Sequence, residues 1–199
     1  MPEATVTTDY TVNTETGLLS PARLCLSPNR DARPPDTPVS LVVLHGISLP
    51  PGQFGGTEIE ALFQNRLDWD AHPYFGEIRG MEVSAHLLIR RDGELLQFVP
   101  FTERAWHAGA SNFRGRSRCN DFSIGIELEG EDHTPYDDRQ YRVLPPVLQA
   151  LLQAYPGTSA REIAGHCDIA PGRKVDPGPA FDWLRLYDAL GEHIETDIS

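Results

Sequence analysis

The sequence predicts a single α/β (α+β) domain with a central mixed β-sheet flanked by helices. Three observations predict it. Short apolar, β-branched runs alternate with helix-periodic stretches, an Asp-Gly signal joins two runs into a hairpin, and the 199 residues are 40% hydrophobic and 23% charged, enough for one core without staples. Residues 1–38, rich in Thr, Pro, Asp and Arg and without sustained period, read as an extended leader, partly ordered at most, that wraps the domain. The domain proper is placed at 39–190 and a C-terminal tail at 191–199.

Along the domain, Ser40–Leu44 is a buried strand ending at His45, and Leu49–Gly56 is a loop. Thr57 caps a short helix to about Asn65, with Ile59, Leu62 and Phe63 on one face. Val83–Arg90 and Glu94–Val99 are strands around the Arg91-Asp92-Gly93 turn, and Phe122–Leu128 is a further strand. Thr134-Pro135 opens a long helix to about Tyr155, and Pro145-Pro146 inside it predicts a kink or restart near Leu144. Ile163–Gly165 is a brief strand, and Phe181–Leu190 a last helix closed by Gly191.

The net charge of −12 argues against nucleic acid or an anionic membrane as partner, since both need clustered cations. Cys25, Cys119 and Cys167 are odd in number and scattered, which reads as reduced thiols. The first twenty residues lack a basic segment and an apolar segment, and no apolar run is long enough to span a bilayer. A cytoplasmic monomer is expected.

Two of the seven histidines, His45 and His166, end short apolar strands and lead into Gly/Pro-rich loops. That placement suits a metal whose ligands come from separated segments, although the residues alone equally allow two unrelated, partly buried histidines. In Pro171–Gly178, Lys174 is the only lysine of the chain against 16 arginines, and Asp176 lies two residues on. Two imidazoles and a carboxylate make a three-ligand Zn²⁺ site with one position open, the pattern of a catalytic rather than a structural zinc. Glu127 and Glu129 share one face of their strand, so an inward-facing base is available, and Lys174 supplies a cation for an oxyanion. Solvated acids on an amphipathic strand and a lone surface lysine are the plainer alternatives. His86, inside a strand, reads as structural, and Cys167 would face away from His166 if that stretch is extended.

The blocks LVVLHGISLPPGQFGG (41–56), VSAHLLIRRDG (83–93), RAWHAG (104–109), CNDFSIGIELEG (119–130) and GHCDIAPGRKVDPG (165–178) resemble the AmpD-type anhydromuramyl-L-alanine amidases. These are a branch of the zinc amidases that include a phage lysozyme and the peptidoglycan recognition proteins. The likeness spans about residues 39–188. It implies hydrolysis of the amide between the lactyl group of N-acetylmuramic acid and L-Ala, in 1,6-anhydro-muropeptides, during cytoplasmic cell-wall recycling that removes inducers of β-lactamase. It implies His45, His166 and Asp176 as zinc ligands, Glu127 as general base and Lys174 as oxyanion stabiliser. It also implies substrate contacts at Trp106, His107, Phe113 and Arg118. Arg118 has a physical reason of its own, because Arg114, Arg116 and Arg118 form a cationic loop on an acidic chain and the substrate peptide ends in carboxylates. The chain departs from the resemblance at Gly46, where relatives commonly carry Asn, and at Glu82, where they can carry Arg. Both positions bear on peptide specificity and neither on the metal. A muropeptide sensor without turnover, and an amidase of intact peptidoglycan, are the competing readings.

Overall fold

Residues 41–44 of the apolar run open a seven-residue strand that lies one place in from the edge of a six-stranded sheet. The structure, a computed structural model, describes residues 8–192; the first seven residues of the leader and the last seven of the C-terminal tail lie outside the described residues. In chain order the elements are β1 (Thr11–Asn13), β2 (Leu18–Ser20), β3 (Arg23–Leu24), β4 (Arg30–Ala32), β5 (Leu41–Ile47), α1 (Glu58–Phe63), α2 (Pro73–Glu77), β6 (Leu87–Ile89), β7 (Leu95–Gln97) and β8 (Glu103–Ala105). They continue with β9 (Asn112–Phe113), β10 (Arg116–Ser117), β11 (Ser123–Glu129), α3 (Asp138–Ala154), β12 (Ile163–Gly165), α4 (His166–Ile169) and α5 (Trp183–Leu190).

The sheet order is β12-β5-β11-β6-β7-β3, mixed as expected, with β6 and β7 antiparallel and the other pairs parallel. Every residue of β11 and the first five of β5 are buried, as parallel strands covered on both faces require. On one face Val42, Leu44, Leu87, Ile89, Ile124, Ile126 and Leu128 pack against Leu144, Val147, Leu148 and Leu151 of α3 and Leu186 of α5. The other face carries two separate apolar clusters. One joins Leu88, Leu96 and Phe98 to Ile59, Leu62 and Phe63 of α1, and the other joins Leu41 and Val43 to Ala164, Ile169 and Phe122. Between these clusters the strands present His45, Gly125 and Glu127, so the polar site interrupts an otherwise apolar layer. Gly93 has φ +89° in the β6–β7 turn, a conformation that glycine adopts without penalty.

Three expectations are corrected. The leader, expected to be partly ordered at most, forms strands in residues 8–38: β1 pairs with β2, β3 extends the main sheet beside β7, and β4 pairs with β8. The buried amide of Gln97 ties it down, accepting from Leu19 N and donating to the Gly17 carbonyl, both at 2.8 Å. The long helix starts at Asp138, later than Thr134, because Asp137 and Gln140 form a capping box. It also runs uninterrupted through Pro145-Pro146. Each internal proline costs about 3 kcal/mol, but Leu144, Val147, Leu148 and Leu151 are all fully buried, at about 1.5–3 kcal/mol each. Packing therefore outweighs the missing hydrogen bonds. The third correction concerns Cys167, which sits in the one-turn helix α4 rather than in extended chain. Its backbone N–H donates to the Asp176 carbonyl at 3.0 Å.

Candidate metal and catalytic site

Parallel register assembles the site. β11 pairs with β5 so that Glu127 lies opposite His45, and β12 pairs with β5 so that Gly165 lies opposite Leu44. His166, the next residue, therefore emerges beside His45. Contrary to the expectation from the sequence, His45 does not end its strand, because β5 stays paired with β11 through Ile47. Opposed residues of a sheet point to the same face, so Glu127 and His45 share one. Asp176 reaches this place on the loop after α4.

His45 Nδ1 lies 3.0 Å from His166 Nδ1, and Asp176 Oδ2 is 3.1 Å from each of them. Among the described residues this is the one convergent set of three such donors. His166 Nε2 faces the Ala108 carbonyl oxygen at 3.2 Å. A carbonyl only accepts, so this contact uses a proton on Nε2 and, in that tautomer, leaves the Nδ1 lone pair turned inward. The Arg173 guanidinium donates to the same carbonyl at 2.7 Å. Burial, opposed by Asp176, pushes His45 down to about 4, leaving the neutral imidazole that ligates metals. Burial pushes the Asp176 carboxyl up, but His166 and His45 pull it further down, below the usual carboxylate range. Buried lone pairs and a carboxylate converging at this distance fit a cation. Tetrahedral zinc with bonds of about 2.0–2.1 Å would set such donors about 3.3 Å apart, close to what is seen.

Glu127 is buried, and its Oε2 has no hydrogen-bond partner. Burial first, and the Asp176 charge second, raise its pKa well above the usual value, with Lys174 opposing. A buried carboxyl with a free oxygen in a cleft is poised to exchange a proton. Glu129, its partner on the same strand face, is instead spent on structure, accepting the Gly55 and Arg91 backbone N–H groups at 2.6 and 3.0 Å. Lys174 is exposed at the rim. It lines, with His45, His166, Asp176 and Glu127, a cavity of about 270 Å³ whose other wall includes Leu49, Tyr74, Ile78, Met81, Val83 and Trp106.

The four residues expected at the substrate separate. Trp106 and His107 line the cavity, but both ring nitrogens of His107 are engaged, Nδ1 with His45 Nε2 at 2.9 Å and Nε2 with Ser123 Oγ at 3.0 Å. Phe113 is half-buried, packing against the cluster around Leu41 and Phe122, and the Arg114 guanidinium lies over its ring. Arg118 is exposed, with φ +63°, and pairs with Asp121 at 3.1 Å. Neither Phe113 nor Arg118 lines the cavity. His86 is structural, its Nδ1 accepting the Gly125 N–H at 3.0 Å. Sequence reasoning passed over Tyr136, whose hydroxyl donates to the Pro177 carbonyl at 2.8 Å next to Asp176. A Cβ on Gly46 would stand 2.2 Å from that hydroxyl. A glycine directly after His45, inside β5, was the available signal. The three cysteines are free. No helix among the described residues is long and apolar enough to cross a membrane.

A family model for N-acetylmuramoyl-L-alanine amidases (Amidase_2) matches residues 35–179, which include all five metal-site and catalytic candidates. The 1,6-anhydro-N-acetylmuramyl-L-alanine amidase AmpD of Escherichia coli (strain K12) is 59% identical over 172 residues, 86% of this chain and 93% of that protein. A crystal structure of a selenomethionine AmpD derivative is similar with TM-score 0.86 and 55% identity, covering 90% of this chain and 98% of that chain. The complex of the E. coli N-acetylmuramyl-L-alanine amidase AmiD with the substrate anhydro-N-acetylmuramic acid-L-Ala-D-γ-Glu-L-Lys is similar with TM-score 0.57 and 28% identity, covering 94% of this chain and 67% of that one. The chain belongs to the N-acetylmuramoyl-L-alanine amidase family.

Proposed function

We propose that the protein is a zinc-dependent amidase that cleaves the lactyl–L-Ala amide of 1,6-anhydro-muropeptides in cytoplasmic cell-wall recycling. The observation that carries this reading is the triangle of His45 Nδ1, His166 Nδ1 and Asp176 Oδ2 beside Glu127 and Lys174 in one cavity. The high identity to an enzyme named for the anhydro substrate supports the substrate class. Removal of muropeptides that induce β-lactamase would follow from the same activity.

His45, His166 and Asp176 would hold the zinc, which when bound polarises the scissile carbonyl and acidifies the attacking water. Glu127 takes a proton from that water as its oxygen bonds to the lactyl carbon. The Lys174 ammonium offsets the charge that develops on the carbonyl oxygen. As the C–N bond breaks, Glu127 returns the proton to the departing L-Ala nitrogen, so one carboxyl serves as base and then as acid. Trp106 and the apolar wall from Leu49 to Val83 would hold the sugar and lactyl group and exclude bulk water. Phe113 and Arg118 are assigned to the far end of the peptide, where Arg118 would exchange Asp121 for a substrate carboxylate.

Mass spectrometry of 1,6-anhydro-muramyl-tripeptide and intact sacculi, each with and without a chelator, tests the reading. Chelator-sensitive peptide release from the anhydro substrate is expected. Comparable cleavage of sacculi would make it a broader wall amidase, and no release from either with zinc bound would make it a sensor.

A further inference from the structure

We propose that the two-residue segment His107–Ala108 orients both metal-ligand histidines, with His107 and Asn120 as positioning residues. This deepens the reading above and rests on its assignment of His45 and His166 as ligands. His107 Nδ1 meets His45 Nε2 at 2.9 Å, with the two ring planes at 86°. The carbonyl of Ala108, one residue on, accepts from His166 Nε2 at 3.2 Å. Each ligand histidine thus turns its outer nitrogen to an acceptor on the same short stretch of chain. Such outer contacts fix the tautomer and the ring plane of a metal-ligating imidazole.

The proton positions follow. With His45 Nδ1 as ligand, its Nε2 holds the proton and donates to His107 Nδ1. His107 then holds its own proton on Nε2 and donates to Ser123 Oγ, 3.0 Å away. His107 has no nitrogen left for substrate.

The segment is itself held from two sides. Asn120 Oδ1 accepts the backbone N–H of His107 at 3.1 Å and that of Ala108 at 2.8 Å. On the other side the His107 ring lies against Gly125, in the middle of β11, where a Cβ would come within 2.5 Å of His107 Cγ. A glycine weakens a central strand, and it often marks a close approach. Here the approach is the His107 ring.

The test measures Zn²⁺ affinity by chelator competition, the visible spectrum of the Co²⁺-loaded protein, and kcat and KM for amide cleavage. The variants are His107→Phe, His107→Gln, Asn120→Ala, Asn120→Asp and Gly125→Ala, with a thermal melt on each to show that it folds. His107→Phe and Asn120→Ala should weaken zinc binding about 10–100-fold and shift the cobalt spectrum, with little change in KM. His107→Gln and Asn120→Asp keep an acceptor and should recover most of the affinity. Gly125→Ala keeps every hydrogen-bonding group and only displaces the ring, and should weaken zinc binding as well. His107→Phe with unchanged zinc affinity and a raised KM would make His107 a substrate contact and overturn the proposal. Unchanged affinity in Asn120→Ala would remove Asn120 from it. An unmutated protein that takes up no Zn²⁺ would instead overturn the ligand assignment on which the proposal stands.

Discussion

Glu127→Gln separates what this side chain costs the fold from what it does for the reaction. In the unfolded chain Glu127 titrates at its ordinary value of 4.5, whereas in the folded protein burial and Asp176 hold its pKa well above that. Between those two values the folded state keeps a proton that the unfolded state has released. Stability therefore falls as pH rises through that window, by about 1.4 kcal/mol per pH unit. Below pH 4.5 both states are protonated and the contribution vanishes. Glutamine has nearly the same shape and no charge, so the variant lacks this slope. In chelator-treated protein, wild type and Glu127→Gln should melt together near pH 4.5. Above it, Tm of the variant should rise over wild type by about 3–6 °C for each pH unit of the window, at about 2–4 °C per kcal/mol for a domain of this size. Cleavage by the zinc-loaded variant should fall about 10²–10⁴-fold with the loss of the base. Differential scanning fluorimetry across pH and a mass-spectrometric rate assay read the two effects. Coincident melting curves at pH 8, or activity within tenfold of wild type, would refute the reasoning.

Further expectations concern the ligands and the peptide end. Asp176→Ala should lose zinc, read by metal analysis after dialysis, whereas Lys174→Ala should keep zinc and lower kcat about 10²–10³-fold, as for a lost oxyanion partner. His45 is held at about 4 in the fold against 6.5 in the unfolded chain. Its contribution to metal-free stability is therefore complete above pH 6.5 and is lost as pH falls toward 4, by about 3 kcal/mol in all. His45→Gln should flatten the acid side of the Tm–pH profile. Glu82 is exposed between the cavity residues Met81 and Val83. Glu82→Arg should lower KM for a carboxylate-ended peptide by up to about fivefold, an effect that fades in high salt.

Much of the site was legible because its residue types are costly to place by chance. Two histidines that each follow a short apolar run, and a carboxylate on a Pro/Gly loop, are visible as a pattern, and the family resemblance gave each of them a role, although the strand of His45 runs on to Ile47. Alternation along Ser123–Glu129 placed Glu127 and Glu129 on one face, but only the surroundings show which is free. Glu129 is tied by two backbone N–H groups, and Glu127 Oε2 has none. The role of His107 was not legible, since it depends on the register of two strands and on a glycine opposite its ring. The leader strands were missed because two- or three-residue strands carry no period, and their anchors are long-range side-chain bonds: the Gln97 amide to Gly17 and Leu19, Asn29 to the Val83 carbonyl, and Arg33 to the Phe101 and Ser123 carbonyls. The uninterrupted α3 was missed because local proline chemistry was weighed without the sheet it packs on.

The most direct test of the central claim is zinc titration back into chelator-treated protein while cleavage of 1,6-anhydro-muramyl-tripeptide is followed. Activity should be absent at the start, rise in proportion to added zinc, and stop rising at one equivalent per chain, with no recovery in Asp176→Ala. Full activity in the chelated protein, or undiminished recovery without Asp176, would contradict the account.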